Sequence, residues 1–174
     1  MPTITILGLG PGALDDLTVG ALRTLQAARR IIWRTLRHPS IAELRPLLAP
    51  GCRDESCDDL YETHAEFAAV YAAIVERVLA AGQEGDVVYA VPGHPWVGEA
   101  TTPLLLSAAG AAGLAVQVVG GLSFVEGAYA AVGVDLMDGS QVCDAMLLAS
   151  QHFPQVETAL PLLVGQVYAR WLAS

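Results

Sequence analysis

The residues best placed for proton chemistry are two histidines, each followed by proline. His94 lies in Pro92-Gly93-His94-Pro95, a loop that turns it toward a cleft, and His38 precedes Pro39. Imidazole titrates near neutrality, so either could take a proton from a reacting group, as could the Glu99 carboxylate. Around them the chain offers glycine instead of nucleophiles. Gly8-Leu9-Gly10-Pro11-Gly12 follows an apolar run and precedes a helical one. A glycine-rich loop at a helix N-terminus can hold an anionic or polar group on backbone N–H donors. Spaced as Gly8, Gly10, Ala13, the same loop loosely fits a dinucleotide fingerprint, and a plain tight turn fits it too. The next strand ends at Trp33-Arg34, with no acidic residue for a ribose hydroxyl, and no G-K-[ST] phosphate loop occurs. The chain has no lysine, which excludes Schiff-base chemistry. Such a set suits holding a cofactor better than covalent catalysis.

Other reactive residue types read as ordinary. His64 falls in a helix first turn and His152 in a polar linker, both solvated. Asp54, Glu55, Asp58, Asp59, Glu62 and Glu66 read as a solvated acidic face, and no metal site is expected. Cys52, Cys57 and Cys143 are odd in number and lack a C-x-x-C pair, which argues against a disulfide framework or structural zinc.

The elements that must position these residues follow from periodicity. Residues 87–91 (VVYAV) are an unbroken apolar run, as in a fully buried parallel strand. The Pro-Gly loop follows, then a helix over about 99–109. The two prolines fix φ on either side of Gly93, which lets a ligand approach the backbone closely. Residues 3–9 (TITILGL) form the first strand, and a helix over about 19–29 has Asp16 or Thr18 as its N-cap. Residues 30–34 (RIIWR) form the second strand, with a loop over 35–40, a short helix over 41–48 and a third strand near 56–58. Thr63 and Glu66 have capping-box spacing, opening a helix to about Ala81 that Gly82 closes. Its apolar positions Phe67, Val70, Tyr71, Ile74 and Val78 keep helical spacing. The fifth strand is 115–119, and a second capping box, Ser123 with Glu126, opens a helix to about Val132.

Five strands alternating with helices predict an α/β sheet, mostly parallel, whose loops after each strand emerge at one ligand-binding edge. Beyond Gly133 a strand is expected over 142–149, a polar linker over 151–161, a strand over 162–168 and the start of a helix over 169–174. This divides the chain into a domain at 1–138 and the beginning of a second, truncated one at 139–174.

The 174 residues are 53% hydrophobic and 16% charged, with net charge −9. That balance disfavours nucleic acid, which needs clustered Lys and Arg. No apolar run approaches the ~18 residues of a membrane span, and Met1 has no basic n-region behind it, so a cytoplasmic protein is expected.

Three stretches, TILGLGPGALDDLT, VVYAVPGHPWVGEAT and VVGGLSFVEGAYAAVG, resemble the motifs of the tetrapyrrole (corrin/porphyrin) methylase family. The resemblance covers about residues 3–135 and implies two α/β domains with S-adenosylmethionine between them. The first would be a five-stranded, mostly parallel sheet with helices on both faces. IIWRTLRHP, CDDLYETHAEFAAVYAAIVERVL and DAMLLA with PLLVGQVYARWLAS resemble the N-terminal methylase-like domain fused to a MazG-type nucleotide pyrophosphohydrolase. By position, the resemblance implies cofactor contacts from Gly10, Pro11, Gly12, Pro92, Gly93, His94, Val97, Gly121, Ser123 and Phe124. His94 replaces the family's usual Asp, and Arg34 stands where several family enzymes have an acidic proton acceptor. The implied activity is methyl transfer to a small-molecule acceptor by a homodimer, with His94, His38 and Arg34 as candidate catalytic residues. A sulfonium methyl needs an aligned nucleophile and a dry site more than covalent help. The rival is a regulatory module that binds the cofactor or a nucleotide without methylating; a dehydrogenase is third.

Overall fold

The computed structural model describes residues 2–167, which divide into two compact units, one ending at Ser123 and the other beginning at Phe124. The first unit runs β1 (Thr3–Gly8), α1 (Val19–Ala27), β2 (Arg30–Trp33), α2 (Ile41–Leu44), β3 (Arg53–Ser56), α3 (Asp58–Thr63), α4 (Phe67–Glu84), β4 (Val87–Val91), α5 (Thr101–Ala111) and β5 (Ala115–Val119). Its sheet is parallel throughout, in the order β3-β2-β4-β1-β5.

Alternation along the strands makes two cores. Ile4 and Ile6 of β1, Ile32 of β2, and Val87, Tyr89 and Val91 of β4 pack with Ile74 and Val78 of α4 and Leu105 of α5. On the other face, Leu7, Ile31, Trp33, Val88 and Ala90 pack with Leu25 of α1 and Ile41 and Leu44 of α2. Each fully buried aliphatic side chain contributes about 1.5–3 kcal/mol, so both faces hold the sheet. Central β4 is buried at every position, which is why its sequence shows no alternation.

Several boundaries differ from the periodicity. β3 lies at Arg53–Ser56, just before the expected 56–58, because Arg53 to Ser56 register with Arg30 to Trp33 of β2. The Thr63–Glu66 capping box does not form. Thr63 ends α3, its hydroxyl donating back to the Asp59 carbonyl at 3.1 Å, and Glu66 is the N-cap of a separate helix, α4. Gly82 does not close that helix either. It is buried inside α4, where a Cβ would stand 2.7 Å from Ile4 Cγ1, so it lets the helix lie close on β1. Of the two proposed caps of α1, Thr18 serves, accepting the Ala21 N–H at 3.1 Å.

The second unit holds α6 (Phe124–Val132), a short turn, β6 (Gln141–Asp144), α7 (Ala145–Ser150) and β7 (Leu162–Gly165), with β6 and β7 paired in parallel. The expected strand over 142–149 is therefore half helix. Asp144 ends β6 and caps α7, accepting the N–H groups of Met146 at 2.8 Å and Leu147 at 3.1 Å. The Tyr129 hydroxyl of α6 donates to the Gln141 carbonyl at 3.1 Å. The unit begins at Phe124, ahead of the boundary read from sequence, and the helix expected over 169–174 lies outside the described residues.

Candidate functional site

β1 and β4 are neighbours, yet the chain leaves them on opposite faces. α1, after β1, packs on one face and leads to β2; α5, after β4, packs on the other and leads to β5. The crevice opened at such a reversal is where open α/β sheets bind ligands. Here the two loops are joined across it. The Gly93 N–H donates to the Gly10 carbonyl at 2.7 Å, and the Gly10 N–H donates to Gly93 at 3.2 Å. Both glycines have positive φ, 77° and 68°, a conformation that disfavours any side chain.

Two further glycines make this approach possible. A Cβ on Gly8 would stand 2.5 Å from the Gly93 oxygen, and one on Gly121 would stand 2.7 Å from that same oxygen. The ends of β1, β4 and β5 therefore meet backbone to backbone. In front of Gly93 and Gly12 the space is open, since a Cβ there would touch nothing within 4 Å.

His38 is buried and belongs to this junction. Its Nε2 lies 3.0 Å from the Gly10 carbonyl and its Nδ1 2.9 Å from Ser40 Oγ. A carbonyl only accepts, so Nε2 carries the proton and Nδ1 accepts from Ser40. Burial lowers the imidazole pKa against the opposing pull of Gly10, which favours this neutral form. With both nitrogens engaged, His38 is a loop clamp in this structure and not an available base.

His94 sits in the β4 loop, its Nδ1 accepting the Trp96 N–H at 3.1 Å, while Nε2 lies where a Cβ of Gly120 would approach within 3.0 Å. Val97 donates its N–H to the His94 carbonyl at 2.9 Å, tightening the turn after Pro92. Pro11 is exposed beside Gly12, Ser123 is buried at the end of the first unit, and Phe124 opens α6 of the second.

Arg34 goes elsewhere. Its guanidinium lies against the rings of Tyr61 (5.0 Å) and Tyr71 (5.3 Å), and its Nε pairs with Glu99 at 3.3 Å. Burial works to lower its pKa, but Glu99 and the phenol oxygens outweigh that and raise it. A guanidinium in this setting carries charge and donates; it does not take a proton. Glu99 Oε1 also accepts from the Thr101 hydroxyl at 2.6 Å and the Thr101 N–H at 3.0 Å, so Tyr89 O–H, 2.9 Å away, must donate to Thr101. This network holds the start of α5, two residues later than the sequence suggested.

A cavity of about 390 Å³ opens beside this pair, lined by Arg34, Thr35, Arg37, Asp58, Tyr61, Pro92, Gly98 and Glu99. The structure thus brings Gly10, Gly93 and His38 into one junction, and Arg34 with Pro92 onto one cavity. Sequence reading gave no hint of Ser40 or Tyr61 and took Asp58 for part of a solvated face; Tyr61 and Asp58 meet their partners Arg34 and Thr35 only through the fold. The acidic run disperses: Asp54 accepts from Trp33 and Arg45, Asp58 from Thr35, and Asp59 from Arg77. Among the described residues no group of three or more His, Cys, Asp or Glu side chains could hold a metal ion. Burial pushes the Cys57 thiol up to about 11, against the opposing fields of Arg77 and Arg34, so it is no ready nucleophile. None of the described helices is long and apolar enough to cross a membrane.

Solved structures share this fold. The uroporphyrin-III C-methyltransferase of Thermus thermophilus superposes with a TM-score of 0.69 at 25% identity, over 94% of this chain and 67% of that one. Cobalt precorrin-4 methyltransferase, CbiF, at 23% identity and TM-score 0.64, shares the fold over 89% of this chain and 61% of its own. The uncharacterized protein YabN of Bacillus subtilis (strain 168) is 37% identical over 171 residues, 98% of this chain. That match spans only 34% of YabN, about a third of its length. The sequence profile of the Tetrapyrrole (Corrin/Porphyrin) Methylases matches residues 3–161, and the chain belongs to that family.

Proposed function

We propose that this chain binds S-adenosylmethionine at the carboxyl edge of its first sheet and takes part in methyl transfer to a small-molecule acceptor. The observation that carries the reading is the Gly10–Gly93 bridge at the sheet's reversal point, with open space in front of Gly93. The residues fit the group. A close-set edge of glycine and proline offers backbone donors and acceptors to a polar, zwitterionic molecule without side-chain obstruction. Pro11, Gly12, Pro92, Gly93, His94, Val97 and Gly121 would hold it, with Ser123 and Phe124 added on the strength of the third sequence motif. Bound there, the cofactor supplies an electrophilic methyl group. The protein's part is to fix the acceptor in line with that methyl and exclude water. His94 is the remaining candidate base in the cofactor loop; Glu99 is committed to Arg34 and Thr101.

The family resemblance extends the proposal to a homodimer in the cytoplasm, with a nucleotide pyrophosphohydrolase domain as the fused partner. The test is calorimetric titration of S-adenosylmethionine and S-adenosylhomocysteine into the wild-type chain and Gly93→Ala. Nothing crowds a methyl at Gly93, so that variant should fold at a cost of about 1–2 kcal/mol for its left-handed backbone. It should nonetheless lose cofactor affinity. Equal affinity in both proteins would place the cofactor elsewhere. Binding without release of S-adenosylhomocysteine by a longer chain supplied with candidate acceptors would favour the sensing role.

A further inference from the structure

Along β1 the sheet face under α1 changes character. Leu7 is fully buried in the core with Leu25, and its register partners are Ala90 and Val119. Two residues earlier, on the same face, Thr5 stands between Val88 and Gln117. A strand this central in a parallel sheet ordinarily carries an aliphatic residue there. The position is not sealed. Between α1 and the strands a groove of about 500 Å³ opens toward the amino edge. It is lined by Thr5, Gln117 and Val88 from the strands, and by Arg23 and Arg29 from α1 and the turn after it. Its volume lies in the range of small-molecule sites, about 300–1,000 Å³.

The groove keeps hydrogen-bonding capacity in hand. Gln117 Nε2 donates to Thr5 Oγ1 at 2.7 Å. Thr5 is only 5% exposed, yet among the described residues its O–H meets no acceptor and Gln117 Oε1 meets no donor. A buried hydroxyl is ordinarily satisfied by protein, water or ligand. Here the protein supplies no acceptor, and the groove is where one would enter. Charge is uncommitted as well. Arg30 pairs with Glu55 and Glu84, whereas Arg23 and Arg29 make no ion pair and no side-chain hydrogen bond among the described residues. Asp86, the lining carboxylate, accepts the Thr3 N–H at 2.8 Å. Two uncommitted guanidiniums thus face one engaged carboxylate, in a chain of net charge −9. A guanidinium fork suits a carboxylate or phosphate, and a hydroxyl beside an amide suits the hydroxyls of a ligand. We infer that this groove binds a small hydroxylated anion, a sugar phosphate or a hydroxycarboxylate, with its anionic group on Arg23 and Arg29 and its hydroxyls on Thr5 and Gln117. The groove lies toward the end of β1 remote from the Gly10–Gly93 bridge, and the inference does not depend on the cofactor reading.

The test is titration of ribose 5-phosphate, gluconate and, as a neutral control, ribose into the wild-type chain, followed by NMR shifts of the Thr5 methyl and the Gln117 side-chain amide. Arg29→Ala removes an exposed side chain and keeps the fold. It should weaken binding about tenfold, the loss of one charge-assisted hydrogen bond. Gln117→Glu keeps the hydrogen bond to Thr5, whose O–H then donates, and sets a negative charge in the groove; it should abolish binding of both anions. Thr5→Val, read on the Gln117 amide, should weaken ribose 5-phosphate and leave inorganic phosphate unchanged. Response to ribose 5-phosphate alone or to gluconate alone would name the anionic group. No response to either anion, an equal response to ribose, or unchanged affinity in both Arg29→Ala and Gln117→Glu would overturn the site. So would a loss confined to Arg37→Ala, which would move the anion to the carboxyl edge.

Discussion

The two edges of the sheet use the same residue types to opposite ends. At the amino edge a cavity also of about 390 Å³ is lined by Arg29, Arg30, Arg53, Glu84 and Asp86. Arg30 there pairs with Glu55 at 3.0 Å and Glu84 at 2.6 Å, and these two carboxylate side chains are 43% and 68% exposed. At the carboxyl edge Arg34 and Glu99 are 13% and 7% exposed, set between rings and threonine donors. Equal volume and equal charge chemistry thus give one solvated rim and one organised pocket. The difference lies in what surrounds the charges. Water screens the first set and exchanges its partners; protein fixes the second.

Substitutions can break this contrast in order of size. The largest effect is expected from Gly121→Ala at the carboxyl edge. Its methyl would stand 2.7 Å from the Gly93 oxygen and 2.9 Å from the Gly8 carbonyl, all of it backbone. Overpacking of this kind costs about 3 kcal/mol, to be read from urea unfolding. A loss under about 1 kcal/mol, close to that of an ordinary surface change, would show that the strand ends are slack.

Next comes His38→Gln, expected to cost about 2 kcal/mol at neutral pH through the Gly10 and Ser40 hydrogen bonds. This effect has a pH signature. The folded pKa is lowered, so the unfolded chain binds more protons as pH falls through about 6.5, and the stability due to neutral His38 is present above that pH and lost below it. The gap between wild type and variant should narrow from pH 8 to pH 5. A gap that widens would mean His38 is held protonated. The smallest effect belongs to the amino edge. Arg30→Ala should cost under about 1 kcal/mol, and that difference should shrink further in high salt. A larger or salt-independent loss would erase the distinction between the edges.

What could be read from sequence was whatever the neighbours of a residue decide. The strands β1, β2, β4 and β5, the two glycine loops and the pair Asp16 or Thr18 from which α1 takes its cap depend on local sterics and are legible. The Thr63–Glu66 pattern misled because capping spacing also arises where one helix ends and another begins. Gly82 misled for a similar reason: glycine ends helices, but it also admits a close strand. The candidate site was legible as an edge and not as contacts. His38 and Gly10 meet across 28 positions, and Arg34 and Glu99 across 65, through strand register that no local pattern encodes.

Strand order sets when the edge can exist. β1 and β2 are adjacent in sequence, yet β4 lies between them. A nascent chain that has reached the end of α4 holds both flanking strands but not the one that joins them. The Gly10 carbonyl then has no Gly93 amide to receive. Closing so long a loop costs entropy before the non-local pairing compensates for it. Insertion of the central strand therefore joins β1 to β2 and makes the Gly10–Gly93 bridge in a single folding event, and a chain caught before it has neither.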